Sequence, residues 1–359
     1  MNIMKRIFRY MIMVACAIAM VGCQKELGGI LTATIEDCEG GDEKVYIDNN
    51  GYACWHDGDT VSVNGVEGTI FLQGDNNDAL VYGIDISDLT TINAVYPATH
   101  ENKVVWKGVQ TYREVAMPNG TMAQVVEAPM VAKAVKDAEG NANLVFKNVG
   151  ALVKVSVPQA VGENGAQTAE KKVRSIEVKN VATDGGMLWG KADYGWNEHG
   201  EPTMGVLSGG SNSVRMDIPS TATVHDFYIA VPQLSGAKLE VKVIYEEIVG
   251  EVKTFKVMTK RTKVITMDRN KMLSINGLEG VDYVLRGEGT EASPYLIESE
   301  LDFDALGAQS QTDLYKGKHF RQEVDLVVSN PANYQGIDFD GTYDGNGTGV
   351  IPWRVMLPE

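Results

Sequence analysis

The sequence has few cysteines and lacks the short fingerprints of common catalytic sites. The chain has four cysteines, and only Cys38 and Cys54 remain once the predicted signal peptide is removed and Cys23 is acylated. Two are too few for a disulfide scaffold, so the fold must rest on apolar cores. The five histidines show no HExxH or other metal-ligand spacing, and no G-x-S-x-G, P-loop or dinucleotide-binding fingerprint occurs. We therefore predict no catalytic residue, no cofactor and no metal site.

Positive charge is also scarce. The chain has 32 Lys and Arg residues against 48 Asp and Glu residues, which gives a formal net charge of −16 at pH 7. A chain this acidic is repelled by the phosphate backbone of nucleic acids. We expect no nucleic-acid partner.

The N-terminus has the parts of a secretory signal. Three basic residues precede an uncharged apolar run over residues 11–22, which is too short to span a bilayer as a stable helix. Residues 20–23 read Met-Val-Gly-Cys and resemble the lipobox that a lipoprotein signal peptidase cuts. We predict a signal peptide over residues 1–22, acylation at Cys23 and a tether over residues 23–29. Cys16 is the weaker candidate, because only residues 11–15 would remain as the apolar run ahead of it.

The tether begins Gln24-Lys25-Glu26, which resembles the charged tag of some Bacteroides-type surface lipoproteins. We expect the mature chain to be lipid-anchored in the cell outer membrane and exposed at the surface, because several acyl chains on one residue make a stable anchor. Two cysteines then remain, Cys38 and Cys54, in an oxidising compartment. They are the candidate disulfide pair, bonded or free, since spacing alone does not set the geometry.

The dominant period along the chain is two, which indicates antiparallel strands with one buried face. We predict an all-β chain with two tandem antiparallel β-sandwich domains, over residues 30–143 and 144–278, separated by the polar stretch 136–143. Residues 279–359 form a different segment. There Ser299 and Asp302 predict a capping box for a short helix over residues 301–309, followed by a strand over residues 320–328.

Several motifs in order resemble the fimbrillin family of the Bacteroidales, the type V pilins and their lipoprotein relatives. They cover residues 30–278 and are Leu31-Thr32-Ala33-Thr34-Ile35-Glu36, Trp55-x-x-Gly58-Asp59, Val61-Ser62-Val63, Ala94-Val95-Tyr96-Pro97-Ala98, Phe146-Lys147-Asn148-Val149-Gly150, Phe227-Tyr228-Ile229-Ala230-Val231-Pro232 and Asp268-Arg269-Asn270-Lys271. The resemblance implies two tandem β-sandwiches and assembly with fimbrial subunits by strand addition, after a protease removes the first strand. In assembling pilins that cleavage follows an Arg, whereas here Arg113 is the first Arg after Cys23. We therefore expect an anchor, a tip or a free-standing adhesin that does not polymerise.

The last seventy or so residues resemble the first coils of parallel β-helix adhesins with glycine-rich repeats. The motifs that carry this resemblance are Gly287-x-Gly289-Thr290, Ser293-Pro294-Tyr295-Leu296-Ile297, Gly317-Lys318-x-Phe320, Asp325-Leu326 and Phe339-x-Gly341-Thr342-Tyr343-Asp344-Gly345-Asn346-Gly347. A β-helix buries its core only when about three or more coils stack. We expect a short, incomplete β-helix-like segment that is either truncated or packed on the second sandwich. The acidic cluster Asp338, Asp340, Asp344 and Asn346 fits a calcium loop poorly, so we interpret it as a turn.

Aromatic residues at the surface suggest glycan binding as the main alternative function. Trp189 and Trp196 lie among glycines and are the candidates for stacking on a glycan, although packing is the favoured interpretation. We predict a fimbrillin-like surface lipoprotein with a structural or adhesive role. One alternative is a lipid-anchored glycan-binding protein whose partners are host or microbial glycans or proteins. The second is a polysaccharide lyase of the β-helix type whose catalytic coils are missing.

Overall fold

A computed structural model describes residues 29–36, 55–73, 75–116, 122–157, 169–277, 279–326 and 340–345. The chain is nearly all β, as predicted, and within these ranges it has a single helix. The strands of its first half are β1 (Leu31–Ile35), β2 (Thr60–Val63), β3 (Val66–Gln73), β4 (Asp75–Tyr82), β5 (Ile92–Tyr96), β6 (Val104–Trp106), β7 (Val109–Thr111), β8 (Glu114–Ala116), β9 (Met122–Gln124), β10 (Met130–Ala134) and β11 (Ala142–Asn148).

Seven of these strands form a closed barrel in the order β1-β11-β10-β5-β2-β3-β4. The sequence predicts a sandwich here, but the sheet closes on itself because β1 pairs in parallel with β11 and antiparallel with β4. Trp55 is fully buried at its centre, edge-on to Tyr96 at 5.5 Å and to Phe146 at 5.1 Å. Truncation of such a buried aromatic side chain to Ala costs about 3–5 kcal/mol.

The turn after Trp55 explains the Trp-x-x-Gly-Asp motif. The carboxylate of Asp59 accepts a hydrogen bond from the His56 N–H at 2.9 Å, and Gly58 has a φ of +90°, which favours glycine. Burial raises the pKa of Asp59, although the bond from His56 opposes the shift. The motif thus turns the chain from the core tryptophan into β2.

The second domain is a sandwich of two sheets. Its strands, with those inserted into it, are β12 (Gly150–Ser156), β13 (Glu170–Asn180), β14 (Gly190–Ala192), β15 (Tyr194–Trp196), β16 (Pro202–Met204), β17 (Ser213–Asp217), β18 (Asp226–Pro232), β19 (Leu234–Ala237), β20 (Leu239–Val249), β21 (Val252–Arg261), β22 (Ile265–Met267), β23 (Met272–Asn276) and β24 (Val281–Asp282). One sheet has the order β24-β21-β20-β13-β17-β7 and the other β18-β12-β23. Inward side chains of both sheets form one apolar core.

The predicted domain boundary at residues 143 and 144 falls inside β11, which belongs to the barrel. The polar stretch before it is a hairpin loop between β10 and β11. Asp137 Oδ1 accepts from the N–H groups of Glu139 at 3.0 Å and Asn141 at 2.7 Å. Only Val149 lies between β11 and β12, so the chain passes from barrel to sandwich with almost no linker.

One segment of each domain extends from that domain and pairs with a strand of the other. The strap, comprising residues 104–116 and 122–124, leaves the barrel region, and its strand β7 pairs in parallel with β17 of the sandwich. The return arm, residues 188–208, leaves the sandwich, and its strand β14 pairs with β6. Trp106, Ala192, Val95 and Val131 bury one apolar cluster between the return arm and the outer face of the barrel. The two domains therefore interlock.

The C-terminal segment contains helix α1 (Glu300–Gln309) and three strands, β25 (Tyr295–Ile297), β26 (Lys318–Gln322) and β27 (Gly341–Asp344). The predicted cap is confirmed, since Ser299 Oγ accepts from the Asp302 N–H at 3.2 Å. The strands form a parallel ladder in which Tyr295, Phe320 and Tyr343 are in register, as stacked coils require. Leu301 and Ala305 pack on Phe255 of the second sandwich, so the segment is docked on that domain.

Candidate functional site

Strand β1 is paired along both of its edges. Its residues 31–35 pair with residues 142–146 of β11 on one side, and residues 32–34 pair with residues 78–80 of β4 on the other. The side chains of Leu31, Ala33 and Ile35 point into the barrel core and are buried. A strand paired in this way leaves no open edge at its position in the sheet.

Directly after β1, Glu36 connects the barrel to the second sandwich. Its Oε1 accepts hydrogen bonds from Arg269 Nη1 at 2.6 Å, Asn270 Nδ2 at 3.1 Å and the Asn148 N–H at 3.0 Å. Only 13% of the Glu36 side chain is exposed, and hydrogen bonds to a charged group are stronger than those between neutral groups. The first strand therefore ends in a contact that the second domain holds in place.

Arg269 extends this contact to the return arm. Its Nη2 donates to Glu201 Oε2, and Lys147 Nζ donates to Glu201 Oε1 at 2.8 Å. The hydrogen bond from Lys147 and the positive charge of Arg269 outweigh partial burial and lower the pKa of Glu201. We call Glu36, Lys147, Asn148, Glu201, Arg269 and Asn270 the junction cluster.

The junction cluster gives a physical reason for two of the motifs that carry the fimbrillin resemblance. Lys147 and Asn148 come from Phe-Lys-Asn-Val-Gly, and Arg269 and Asn270 come from Asp-Arg-Asn-Lys. Asn270 has a φ of +59°, a left-handed conformation that asparagine tolerates better than most residues. These motifs therefore fix the relative position of barrel and sandwich.

The strap is fastened at Glu114. Its carboxylate accepts from the Thr223 N–H at 2.6 Å, from Thr223 Oγ1 at 2.8 Å and from the Tyr112 hydroxyl. Burial opposes ionisation of Glu114, but these bonds outweigh it and lower its pKa. Burial and the bond to Glu114 raise the pKa of Tyr112, which stays protonated as the donor.

Another polar cluster lies under helix α1 and was not predicted from the sequence. A bulge in β13 at Arg174 breaks the pairing with β20, and the Arg174 guanidinium donates to both Glu246 and Asp304. All three side chains are at least nine-tenths buried, and Arg174 Nε also donates to the Ile218 carbonyl at 3.2 Å. The sequence offers one indication of this cluster, a charged residue inside the strand sequence Val-Arg-Ser-Ile. That residue alone does not predict which acidic side chains it would contact.

The candidate glycan-stacking residues, Trp189 and Trp196, lie on the return arm. Both are half-buried and pack against the apolar cluster between return arm and barrel. Trp189 covers Gly108, where an added Cβ would lie 2.7 Å from the indole, and its Nε1 donates to Ser211 Oγ at 2.7 Å. Both rings thus have packing roles, and glycan stacking by them stays a prediction.

The remaining candidate residues fall largely outside the part of the chain that the structure describes. This holds for Cys23, Cys38, Cys54, Asp338 and Asn346. Asp340 precedes β27 and Asp344 ends it. Across the described ranges no group of three or more His, Cys, Asp or Glu side chains could hold a metal ion, and no helix there is long and apolar enough to cross a membrane.

Comparison with known proteins gives distant likenesses to solved structures. No protein-family profile matches the chain, and no curated protein matches it. Three similar solved structures are provisionally described as cell adhesion proteins. They come from Bacteroides eggerthii (9% identity, 70% of this chain and 87% of that chain, TM-score 0.27), Parabacteroides distasonis (10%, 71% and 91%, 0.28) and Bacteroides fragilis (10%, 69% and 91%, 0.34). Likeness at this level does not establish a family for the chain.

Proposed function

We propose that the protein is a lipid-anchored surface component of the bacterial envelope, with a structural or adhesive role of the fimbrillin type. Its observed support is strand β1. This strand follows the predicted tether, is paired along both edges and is followed directly by Glu36 of the junction cluster. A chain fastened to a membrane through residues 23–29 would thus pass straight into a fixed element of the fold.

The interlocked arms support the same role. The strap holds the sandwich through β7, and the return arm holds the barrel through β14, with Lys191 paired to Glu101 at 2.7 Å and Lys147 to Glu201 at 2.8 Å. Two domains joined by reciprocal arms resist hinge motion better than two domains joined by a linker. A stiff body suits an anchor, a tip or a free-standing adhesin, and we assign it no reaction.

Polymerisation through the first strand is not part of the proposal. Removing β1 would require a cut beyond Ile35, and the sequence contains no Arg between Cys23 and Tyr112. Removal would also break the bonds of β1 to both β4 and β11, together with the contacts of Glu36. We propose that the intact chain forms no long homopolymer and takes part in a fibre only as its end or its anchor.

Protease shaving of intact cells tests the surface location. An externally added protease should release peptides of this chain from intact cells, while a periplasmic marker protein stays whole. A chain cleaved only after the outer membrane is permeabilised would contradict the proposed location.

Electron microscopy of the native surface and sequencing of the mature N-terminus test the assembly. We expect an N-terminus at Cys23 and no long filaments built from this chain. Filaments together with a new N-terminus beyond Ile35 would show that another protease frees the first strand and that the chain is a stalk pilin.

A further inference from the structure

Strand β18 lies at the edge of the three-stranded sheet. It pairs with β12 on one side, and its other side carries the backbone groups of Tyr228 and Ala230. An edge strand of this kind exposes a row of N–H and C=O groups that another strand can bind. In this chain no strand of the described part covers that side.

Two glutamine side chains of the strap bind the edge instead. Gln124 Nε2 donates to the Tyr228 carbonyl at 2.9 Å, and the Tyr228 N–H donates back to Gln124 Oε1 at 2.8 Å. Gln110 Nε2 donates to the Ala230 carbonyl at 2.6 Å, and the Ala230 N–H donates back to Gln110 Oε1 at 3.0 Å. Each amide therefore pairs with one strand residue through both of its groups, as a peptide group of a neighbouring strand would.

The two pairs fit the repeat of a strand. Tyr228 and Ala230 are two positions apart, and alternate residues of a strand direct their backbone groups to the same side. Gln124 is only 4% exposed and also contacts the Met216 sulfur at 3.4 Å, so it is a fixed part of the structure. Gln110 lies on β7, whose backbone pairs with β17, so the strap binds one sheet by main chain and the other by side chains.

The edge that these amides cover is prone to association. Its residues 227–231 read Phe-Tyr-Ile-Ala-Val, a run with high β-propensity, no charge, no proline and no glycine. Segments of this composition pair readily with copies of themselves when they are exposed at an edge. Because the run carries no charge, two copies placed antiparallel about a two-fold axis would meet without electrostatic repulsion.

We propose that Gln110 and Gln124 seal the β18 edge against pairing with β18 of a second copy of this chain. The seal prevents an antiparallel two-fold dimer through the second sandwich. This inference concerns a different strand from β1 and does not depend on where the protein resides, so it stands or falls separately from the proposed function.

The test is a double substitution, Gln110→Leu with Gln124→Leu, which keeps the approximate size of each side chain and removes its amide. The matched control is Gln233→Leu, since Gln233 makes one long bond of 3.4 Å to the Val149 carbonyl and follows the last residue of β18, Pro232. The full chain is used in detergent, with Cys23→Ser in every sample so that acyl chains do not drive association. Sedimentation velocity reports the mass, and hydrogen exchange reports the Tyr228 and Ala230 N–H groups.

We expect the parent chain and the control to sediment as monomers. The double variant should exchange its Tyr228 and Ala230 amide hydrogens about tenfold faster or more when dilute, since each has lost its acceptor. At high concentration it should double in mass and regain protection at both amides. Faster exchange without any gain in mass would overturn the proposal, and so would unchanged exchange at both positions.

A single variant keeps the test decisive if the double variant does not fold, because Gln124 is buried. Gln110→Leu should speed exchange at Ala230 and leave Tyr228 protected, with weaker association than the double variant. A folded Gln110→Leu chain that stays monomeric at every concentration, with Ala230 open to exchange, would refute the seal.

Discussion

Arg174 and Asp304 form a buried ion pair although they lie 130 positions apart. Arg174 sits at a bulge of β13, and Asp304 lies on helix α1, so the pair joins the second sandwich to the C-terminal segment. Glu246 Oε1 also accepts a hydrogen bond from the Arg174 guanidinium, and Lys253 Nζ lies 3.6 Å from Glu246 Oε2. The two carboxylates outweigh burial and raise the pKa of Arg174, so this cation stays charged. The pair of Arg174 and Asp304 therefore holds helix α1 against the sheet at the β13 bulge.

Substitution of Arg174 by Met should destabilise the chain. The buried carboxylates of Glu246 and Asp304 would then lose the Arg174 cation, with Lys253 left at 3.6 Å from Glu246, a change that costs about 3–5 kcal/mol. Urea unfolding of the variant and of Arg215→Met measures the difference. Arg215 pairs with Asp217 at the surface and should contribute at most about 1 kcal/mol. Equal effects at the two positions would show that the buried cluster does not hold the helix.

Substitution of Glu36 by Ala should loosen the junction cluster. Arg269 would keep Glu201 but lose the acceptor it shares with Asn270 and the Asn148 N–H, a change we expect to cost about 1.5–3 kcal/mol. Hydrogen exchange at Asn148 should accelerate, while exchange at the barrel core should change less. The matched control is Glu67→Ala, an exposed carboxylate of β3. No difference between the two variants would mean that Glu36 does not connect the domains.

The contact of Glu114 with Thr223 should weaken in acid. The pKa of Glu114 in the folded chain lies below its ordinary value of 4.5, so its stabilising effect is complete above that value and is lost as pH falls through the folded pKa. At about pH 7 the free energy of unfolding of the parent chain should exceed that of the Glu114→Gln variant. This difference in free energy should become smaller below about pH 4. A gap of constant size across this range would contradict the assignment.

Acylation at Cys23 is tested by Cys23→Ala. The variant should not incorporate a palmitate analogue and should leave the membrane fraction, because a non-acylated chain loses the methylene burial that holds it there. Cys16→Ala serves as the control and should label like the parent chain. Labelling of the Cys23 variant would show that the anchor lies elsewhere.

Local patterns in the sequence are enough to predict much of the fold. Period-two runs give strands such as β12, β18 and β20, and the Ser299–Asp302 pair gives the start of the helix. The sequence predicts that residues 136–143 separate the two domains, but they form a hairpin loop within the barrel. A polar hairpin loop and an interdomain linker have the same composition, so the sequence does not distinguish them. Only the pairing of β11 with both β1 and β10 shows that the barrel continues past this loop.

The contacts that hold the domains together could not be predicted. Gln110 meets Ala230 across 120 positions, and Glu36 meets Arg269 across 233. Neither pair has a sequence spacing that marks it, because each depends on how separate sheets are placed in space. The glutamines in particular lie in the strap, whose short strands carry too little alternation to show which sheet they join.

The parallel pairing of β1 with β11 determines how the barrel responds to tension. A pull on the residues before Leu31 draws β1 toward its own beginning, and a pull on the second sandwich draws β11 toward its own end. Because the two strands run in the same direction, these opposed pulls slide one along the other and load all the bonds between them at once. Bonds loaded in shear must break together, whereas those of a hairpin pulled from its open end break one after another. If the predicted tether over residues 23–29 carries tension, β1 is the strand that would bear it.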